Sequence, residues 1–231
     1  MPAIVLLLVS YLLGSTPFAY FAGRLLRGID LRQHGSGNLG ATNVYRTLGA
    51  PAAIVVLLLD ACKGAVPVLA FATMAGVSGA WWPVAFGVAA IVGHVRPYAG
   101  FFKGGGKGVA TAAGVFSALA PVPFLAAFVT FVVTLGVTRY VSLGSMLGAA
   151  ALALAVVARE GIGSPLSLVA ILVAAFVAWT HRANIARLRR GAEPRLGRPG
   201  GTAAGSAGGA AGGAAGGAGE GAAGSSAGGG R

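Results

Sequence analysis

Long apolar runs alternate with short glycine-rich, basic segments along the first 180 residues. Residues 3–23 (AIVLLLVSYLLGSTPFAYFAG) carry no charge for 21 positions, about the length a helix needs to cross a ~30 Å hydrocarbon layer. The segment lacks the basic start and small-residue cleavage site of a secretory signal, so it reads as a first span. Further runs follow at 50–76, 77–93, 108–138, 140–158 and 161–180. The run 108–138 has 31 uncharged residues, too many for one span and too few for two full ones. Pro121 and Pro123 in its middle (SALAPVPFLAA) favour a break there, because proline cannot donate to the helix ladder and drives its predecessor out of the α region. The pattern alone therefore predicts six or seven spans.

Charge decides between them. Only 10% of the residues are charged and 56% are hydrophobic, with a mean hydropathy of +0.80, whereas soluble domains carry about 25% charged residues. Seventeen basic against five acidic residues give a net charge of +12. In a soluble protein that would suggest nucleic acid; here it reports membrane orientation, and no nucleic-acid partner is expected. With seven spans and a cytoplasmic C-terminus, Arg24, Arg27, Arg32, Arg46, Arg96, Lys103, Lys107, Arg139 and the arginines from Arg182 to Arg198 all lie inside, as the positive-inside rule demands. Only Arg159 lies outside, whereas six spans would send the seven basic residues from Arg24 to Lys107 outward. The expected fold is an all-α integral membrane protein of seven transmembrane helices. Two of them are short and meet at the proline pair, with the N-terminus outside and the C-terminus cytoplasmic. The expected domain is 1–198, followed by a disordered Gly/Ala-rich tail at 199–231 that holds 15 of the 40 glycines. The single cysteine, Cys62, excludes an intramolecular disulfide framework.

This topology places the chemically interesting loops on one face. The first reads RQHGSGNLGATNVYRTLG. Its Gly35, Gly37, Ser36, Asn38, Thr42, Asn43 and Arg46 offer backbone N–H groups, hydroxyl and amide donors and a fixed cation, a set suited to an anion; the same glycines and asparagines also suit ordinary turns. The second reads GHVRPYAGFFKGGGKGVAT, with Gly104, Gly105, Gly106 and Gly108 beside Lys103 and Lys107. It offers another N–H cradle, or else a glycine turn carrying membrane-surface lysines. A Walker nucleotide loop is excluded, because Phe101 and Gly108 stand where that motif needs Gly and Ser or Thr. The third, RYVSLGSM, brings Ser142 and Ser145 to a helix start, where serine is an ordinary cap. At the end of the last run, WTHRANIARLRRGAEPRLGRP, His181 and Asn184 share a helix face. The arginines beyond suit anionic lipid and topology, and Glu193 is the one acid among them.

Within the second span, Asp60 and Lys63 are also spaced i, i+3. Charges at that depth are costly and mark either function or a structural ion pair beneath the site. No acidic cluster suits magnesium and no His/Cys/Asp set suits zinc, so neither metal nor cofactor is expected. The inner face should instead bind a phosphorylated polar molecule beside the acyl chains of the bilayer.

Four segments, in order, carry a resemblance: GSGNLGATNVYR at 35–46, GHVRP with KGGGKGVAT at 93–111, SLGS at 142–145 and HRANIARLRRGAE at 181–193. Over residues 1–195 the chain resembles the bacterial acyl-phosphate-dependent glycerol-3-phosphate acyltransferases, the PlsY family. The resemblance implies transfer of a fatty acyl group from acyl phosphate to the 1-hydroxyl of glycerol 3-phosphate, at the cytoplasmic face of the bacterial inner membrane. The products are lysophosphatidic acid and phosphate, opening phospholipid synthesis. Ser36 and Arg46 match family positions needed for activity. Glycines 104–108 and Lys107 match the acyl-phosphate segment, while Ser142, His181 and Asn184 match positions around glycerol 3-phosphate. Glu193 matches a position tied to structural integrity, and His94 stands in the second motif with an expected structural role. The family's usual pattern is FKGGKGVAT, and this chain has FFKGGGKGVAT, with one extra glycine. That leaves open how Lys103 and Lys107 divide their roles.

The implied chemistry needs little beyond proximity and charge stabilisation, since an acyl phosphate is already activated. His181 is the general-base candidate, with the leaving phosphate as the alternative proton acceptor. A transporter for a phosphorylated metabolite is the rival reading, disfavoured because all candidate residues fall on one face. A monomer is expected.

Overall fold

The computed structural model describes residues 1–98 and 104–197; Lys103, Arg198 and the expected tail at 199–231 lie outside the described residues. Among these, every regular element is helical. The helices are α1 (Ala3–Gly14), α2 (Phe18–Arg27), α3 (Ala41–Leu48), α4 (Ala50–Ala75), α5 (Trp81–Val95), α6 (Val109–Leu119), α7 (Pro121–Thr138), α8 (Val141–Glu160), α9 (Pro165–Thr180) and α10 (Arg182–Arg189), with one 3-10 turn at Leu31–Gln33.

The first apolar run is interrupted. Helix α1 stops at Gly14 and α2 starts at Phe18, because Pro17 has no N–H to continue the ladder and disfavours helix at Thr16. The carbonyl of Thr16, freed by the break, accepts a hydrogen bond from Lys63 Nζ at 2.8 Å. Together the two helices still make one 25-residue candidate span.

The proline pair also breaks the chain, but not symmetrically. The break falls at Ala120 (φ −146°, ψ 70°), and Pro121 opens α7, at the helix start where its missing N–H costs nothing. Pro123 lies inside the first turn. Of this pair only α6 is therefore short: its 11 residues extend about 16 Å, while α7 keeps 18. By length and composition, four helices or joined helices can cross a membrane (α1 with α2, α4, α7 and α8), or five if α9 and α10, bent by 56°, count as one; α5 and α6 are shorter apolar helices.

Packing explains how so short a helix is held. A Cβ on Gly114 of α6 would collide with the Ala61 carbonyl of α4, and one on Gly64 of α4 with the Thr111 carbonyl of α6. Small residues thus let the two backbones touch, the usual device of membrane helix packing. Around this contact Val68, Ile91, Val115, Phe116, Leu152, Val156 and Ala170 bury a core shared by α4, α5, α6, α8 and α9. Outward, α7 presents Val122, Leu125, Phe128, Val129, Val132 and Val133. So apolar a face is suited to lipid.

Candidate active site

The four motif loops meet around one cavity of about 310 Å³. Its walls come from the 36–46 segment, the 107–110 segment that opens α6, the start of α8, and the exit of α9 into α10.

The first segment is shaped by Asn43, whose side chain is buried. Its Oδ1 accepts the Ser36 N–H at 2.9 Å, and its Nδ2 donates to the carbonyls of His34 at 3.0 Å and Leu31 at 3.2 Å. A Cβ at Gly35 (φ +62°) would strike Asn43 Oδ1. Asn43 and Gly35 therefore build the turn. Asn43 borders the cavity, but its amide is committed to the loop; Gly35 and Gly37 do not line the cavity. Ser36, Asn38, Thr42 and Arg46 do line it. Burial pulls the Arg46 guanidinium below its usual value, yet an arginine remains a cation there.

The glycine loop lies differently from a simple N–H cradle. A Cβ at Gly105 would collide with the His94 carbonyl and one at Gly106 with the His94 ring, so these glycines let the loop lie on His94. Gly104 (φ +83°) has open space around it. Of the described glycines here, Gly108, in the left-handed region at the start of α6, faces the cavity together with Lys107. Lys107 Nζ donates to Asn184 Oδ1 at 2.5 Å. Burial first, helped by Arg187 and Arg46, pulls its ammonium down to about 8 against the attraction of Glu193.

Glu193 is the hub of the far wall. Its Oε1 accepts from Ser142 Oγ at 2.7 Å and from Asn184 Nδ2 at 2.6 Å, and its Oε2 accepts from Arg187 Nε at 2.7 Å. These donors hold its carboxyl below the ordinary carboxylate range despite its burial. The network runs from Lys107 through Asn184 to Glu193, tying α6, α8 and α10 together. Ser142 is thereby engaged with Glu193, and Ser145 Oγ donates to its own helix at the Val141 carbonyl, 2.9 Å away; both still border the cavity. His181, just past the end of α9, donates from Nδ1 to the Val177 carbonyl at 2.8 Å, which leaves Nε2 as the free ring nitrogen. Burial and the nearby Lys107 charge push its pKa down to about 4.

Arg187 also lines the cavity, although among the terminal arginines its sequence position suggests only a topology or lipid contact. It follows His181 and Asn184 at the same three-residue interval, a helical spacing that could have revealed it. Asp60 and His94 also face the cavity, while Lys63 stands behind Asp60. With Glu193 saturated and Asp60 beside Lys63, the cations Arg46, Lys107 and Arg187 give the cavity a chemistry suited to phosphate. Apolar Leu57, Val109, Phe131 and Val141 share its wall.

Residues 4–191 match the family model for glycerol-3-phosphate acyltransferase. A glycerol-3-phosphate acyltransferase of Halalkalibacterium halodurans is 44% identical over 198 residues, covering 84% of this chain and 95% of that one. One of Parasynechococcus marenigrum is 46% identical over 195 residues, covering 84% and 90%. The crystal structure of PlsY (YgiH), an integral membrane glycerol 3-phosphate acyltransferase, in its glycerol 3-phosphate form superposes with a TM-score of 0.74 at 38% identity, covering 84% of this chain and 96% of that one. The lysophosphatidic acid form of PlsY gives the same TM-score and identity. With its apolar helices and its polar cavity ringed by motif residues, this chain belongs to the glycerol-3-phosphate acyltransferase family of multi-pass membrane enzymes.

Proposed function

We propose that this enzyme takes its acyl group from acyl phosphate and transfers it directly to the 1-hydroxyl of glycerol 3-phosphate. The observation that carries this reading is the cavity itself, where Arg46, Lys107 and Arg187 stand near one another while Leu57, Phe131 and Val141 supply an apolar side. Two phosphates and one acyl chain match that combination. PlsY, solved in a glycerol 3-phosphate form and in a lysophosphatidic acid form, supports the same substrate and product here.

In this scheme Arg46, Ser36 and Lys107 hold phosphate oxygens, with Gly108 N–H at the start of α6 as a further donor. The glycerol oxygen attacks the acyl carbonyl carbon, the carbonyl–phosphate C–O bond breaks, and inorganic phosphate leaves. The hydroxyl proton passes to His181 Nε2 or to the leaving phosphate. His181 is neutral at pH 7 given its pKa of about 4, so Nε2 has a lone pair to offer. No cofactor enters.

We further propose seven passes, N-terminus outside, with the site at the cytoplasmic face of a bacterial inner membrane and a monomer as the working unit. The meeting of four loops at one cavity supports this count. The intervening pairs α4–α5, α6–α7 and α8–α9 each leave and return to the same end, and α1 with α2 adds the first pass.

The test is donor choice. The full chain in phospholipid vesicles is given radiolabelled glycerol 3-phosphate with palmitoyl phosphate, palmitoyl-CoA or palmitoyl-acyl-carrier protein. Lipid-soluble label with palmitoyl phosphate alone is expected; label with the thioesters alone overturns the reading.

A further inference from the structure

Asp60 and His94 face the cavity, yet the acyl-transfer scheme gives them no task. Asp60 is 2% exposed and His94 7%, in helices whose other side chains are mostly apolar. Both also line a second, small cavity of about 10 Å³, with Lys63, Gly105 and Gly106 among its other walls; that space is close to the minimum for one water. Lys63 Nζ lies 2.7 Å from Asp60 Oδ1 and bonds the Thr16 carbonyl at the break of the first span. His94 Nδ1 stands 3.6 Å from the same Asp60 oxygen. The opposite edge of the ring, at Nε2, lies directly beneath Gly106, where any side chain would collide with it. One residue further along is Lys107.

We infer that Asp60 and His94 are positioning residues for the glycine loop. Asp60, held from behind by Lys63, orients the His94 ring. The ring and the His94 carbonyl form the bed on which Gly105 and Gly106 lie, and the bed sets where the loop delivers the Lys107 ammonium. A buried ion pair is a weak source of stability compared with apolar packing, so retaining one here is better explained by the geometry it fixes. The three glycines before Lys107 then serve close approach to His94 as much as contact with a ligand. The loop is pinned at three places: on His94, through Asn38 Nδ2 to the Gly105 carbonyl at 3.4 Å, and through Lys107 to Asn184.

This inference rests on the proposed acyl transfer, and the experiment separates the two. Steady-state kinetics with palmitoyl phosphate and glycerol 3-phosphate are measured for the reconstituted wild type and for Lys107→Ala, Asp60→Asn, His94→Ala, Gly106→Ala and the double variant His94→Ala/Gly106→Ala, each with its thermal midpoint. Lys107→Ala identifies the substrate whose phosphate the ammonium meets, by its raised KM. The expected result is a KM for that same substrate raised at least tenfold in Asp60→Asn, His94→Ala and Gly106→Ala, with the other KM within about threefold of wild type. Because Gly106→Ala acts by striking the His94 ring, the double variant should be no worse than the poorer single one, the non-additivity expected of residues in contact. A lower kcat or thermal midpoint with both KM values unchanged means bundle stability alone and overturns the inference, as does a double variant whose losses multiply. If Asp60→Asn does not accumulate in the membrane, the His94 and Gly106 variants decide alone. A wild type inactive with both substrates overturns the acyl-transfer reading and this inference with it.

Discussion

Lys107 and His181 sit close enough to influence one another, and their pKa values move in the same direction with different consequences. Lys107, pulled down to about 8, is an ammonium at neutral pH and loses its charge as pH rises through that value. The affinity for the phosphate it holds should fall above about pH 8, and Lys107→Arg should move that alkaline limb up by more than one unit, read from KM against pH. His181, at about 4, stays neutral from pH 5 upward, so no acidic limb should appear near the ordinary histidine value of about 6.5. If His181 takes the proton, His181→Ala should lower kcat by about 10²–10⁴-fold with saturating substrates; near-normal turnover assigns the proton to phosphate. Glu193 acts through structure instead. Its lowered pKa means that the stability it supplies is present at neutral pH and is lost as pH falls through the carboxylate range. Removing it leaves the buried Ser142 hydroxyl and Asn184 amide without their acceptor, while the part-exposed Arg187 regains water, so Glu193→Ala should cost about 1–3 kcal/mol, measured as a lower unfolding midpoint in detergent. The pairing of His181 with Asn184 on one face was legible as an interval of three residues, and continuing that interval would have reached Arg187. That Glu193 binds Ser142 was not legible from spacing, because 51 residues separate them.

At the level of helices, the same physical signals were present and competed. Pro17 marks a break, but it stands inside 21 uncharged residues, a length that by itself reads as one uninterrupted span. The structure resolves the conflict with both, an interrupted span whose loose Thr16 carbonyl is satisfied by Lys63. At Pro121 the proline pair marks a break between two helices expected to be short; because proline is accepted at a helix start, α7 begins on it and keeps 18 residues, and α6 takes all the shortening. The seating of α6 against α4 depends on Gly64 and Gly114. A branched side chain at Gly114 would enter the Ala61 backbone, so Gly114→Val should destabilise the bundle by about 3 kcal/mol or more, beyond the usual cost of overpacking. Thermal unfolding would show this, and it should reduce the folded yield before it alters KM. The glycine loop was the least legible element, since glycine is used equally for N–H cradles, turns and close approach. Only the placement of His94 against Gly105 and Gly106 distinguishes these uses.

For the whole molecule, the proposed topology rests on two observations, the excess of basic residues and the four loops that border one cavity. The first is a matter of charge against the bilayer, the second of side-chain geometry. A single cysteine placed at Ser36 in a chain freed of Cys62 should react with a membrane-impermeant thiol reagent only from the cytoplasmic side, and one at Gly163 only from outside. The reverse pattern would invert the proposed topology. The central claim is that donor and acceptor occupy one cavity and that the acyl group passes directly between them. Rapid-quench mixing of the reconstituted enzyme with acyl-labelled palmitoyl phosphate tests it most directly. Before glycerol 3-phosphate is added, no label should be attached to protein and no burst of phosphate released. After addition, labelled lysophosphatidic acid and phosphate should appear together in equal amounts. Labelled protein, or a phosphate burst without acceptor, would contradict the account.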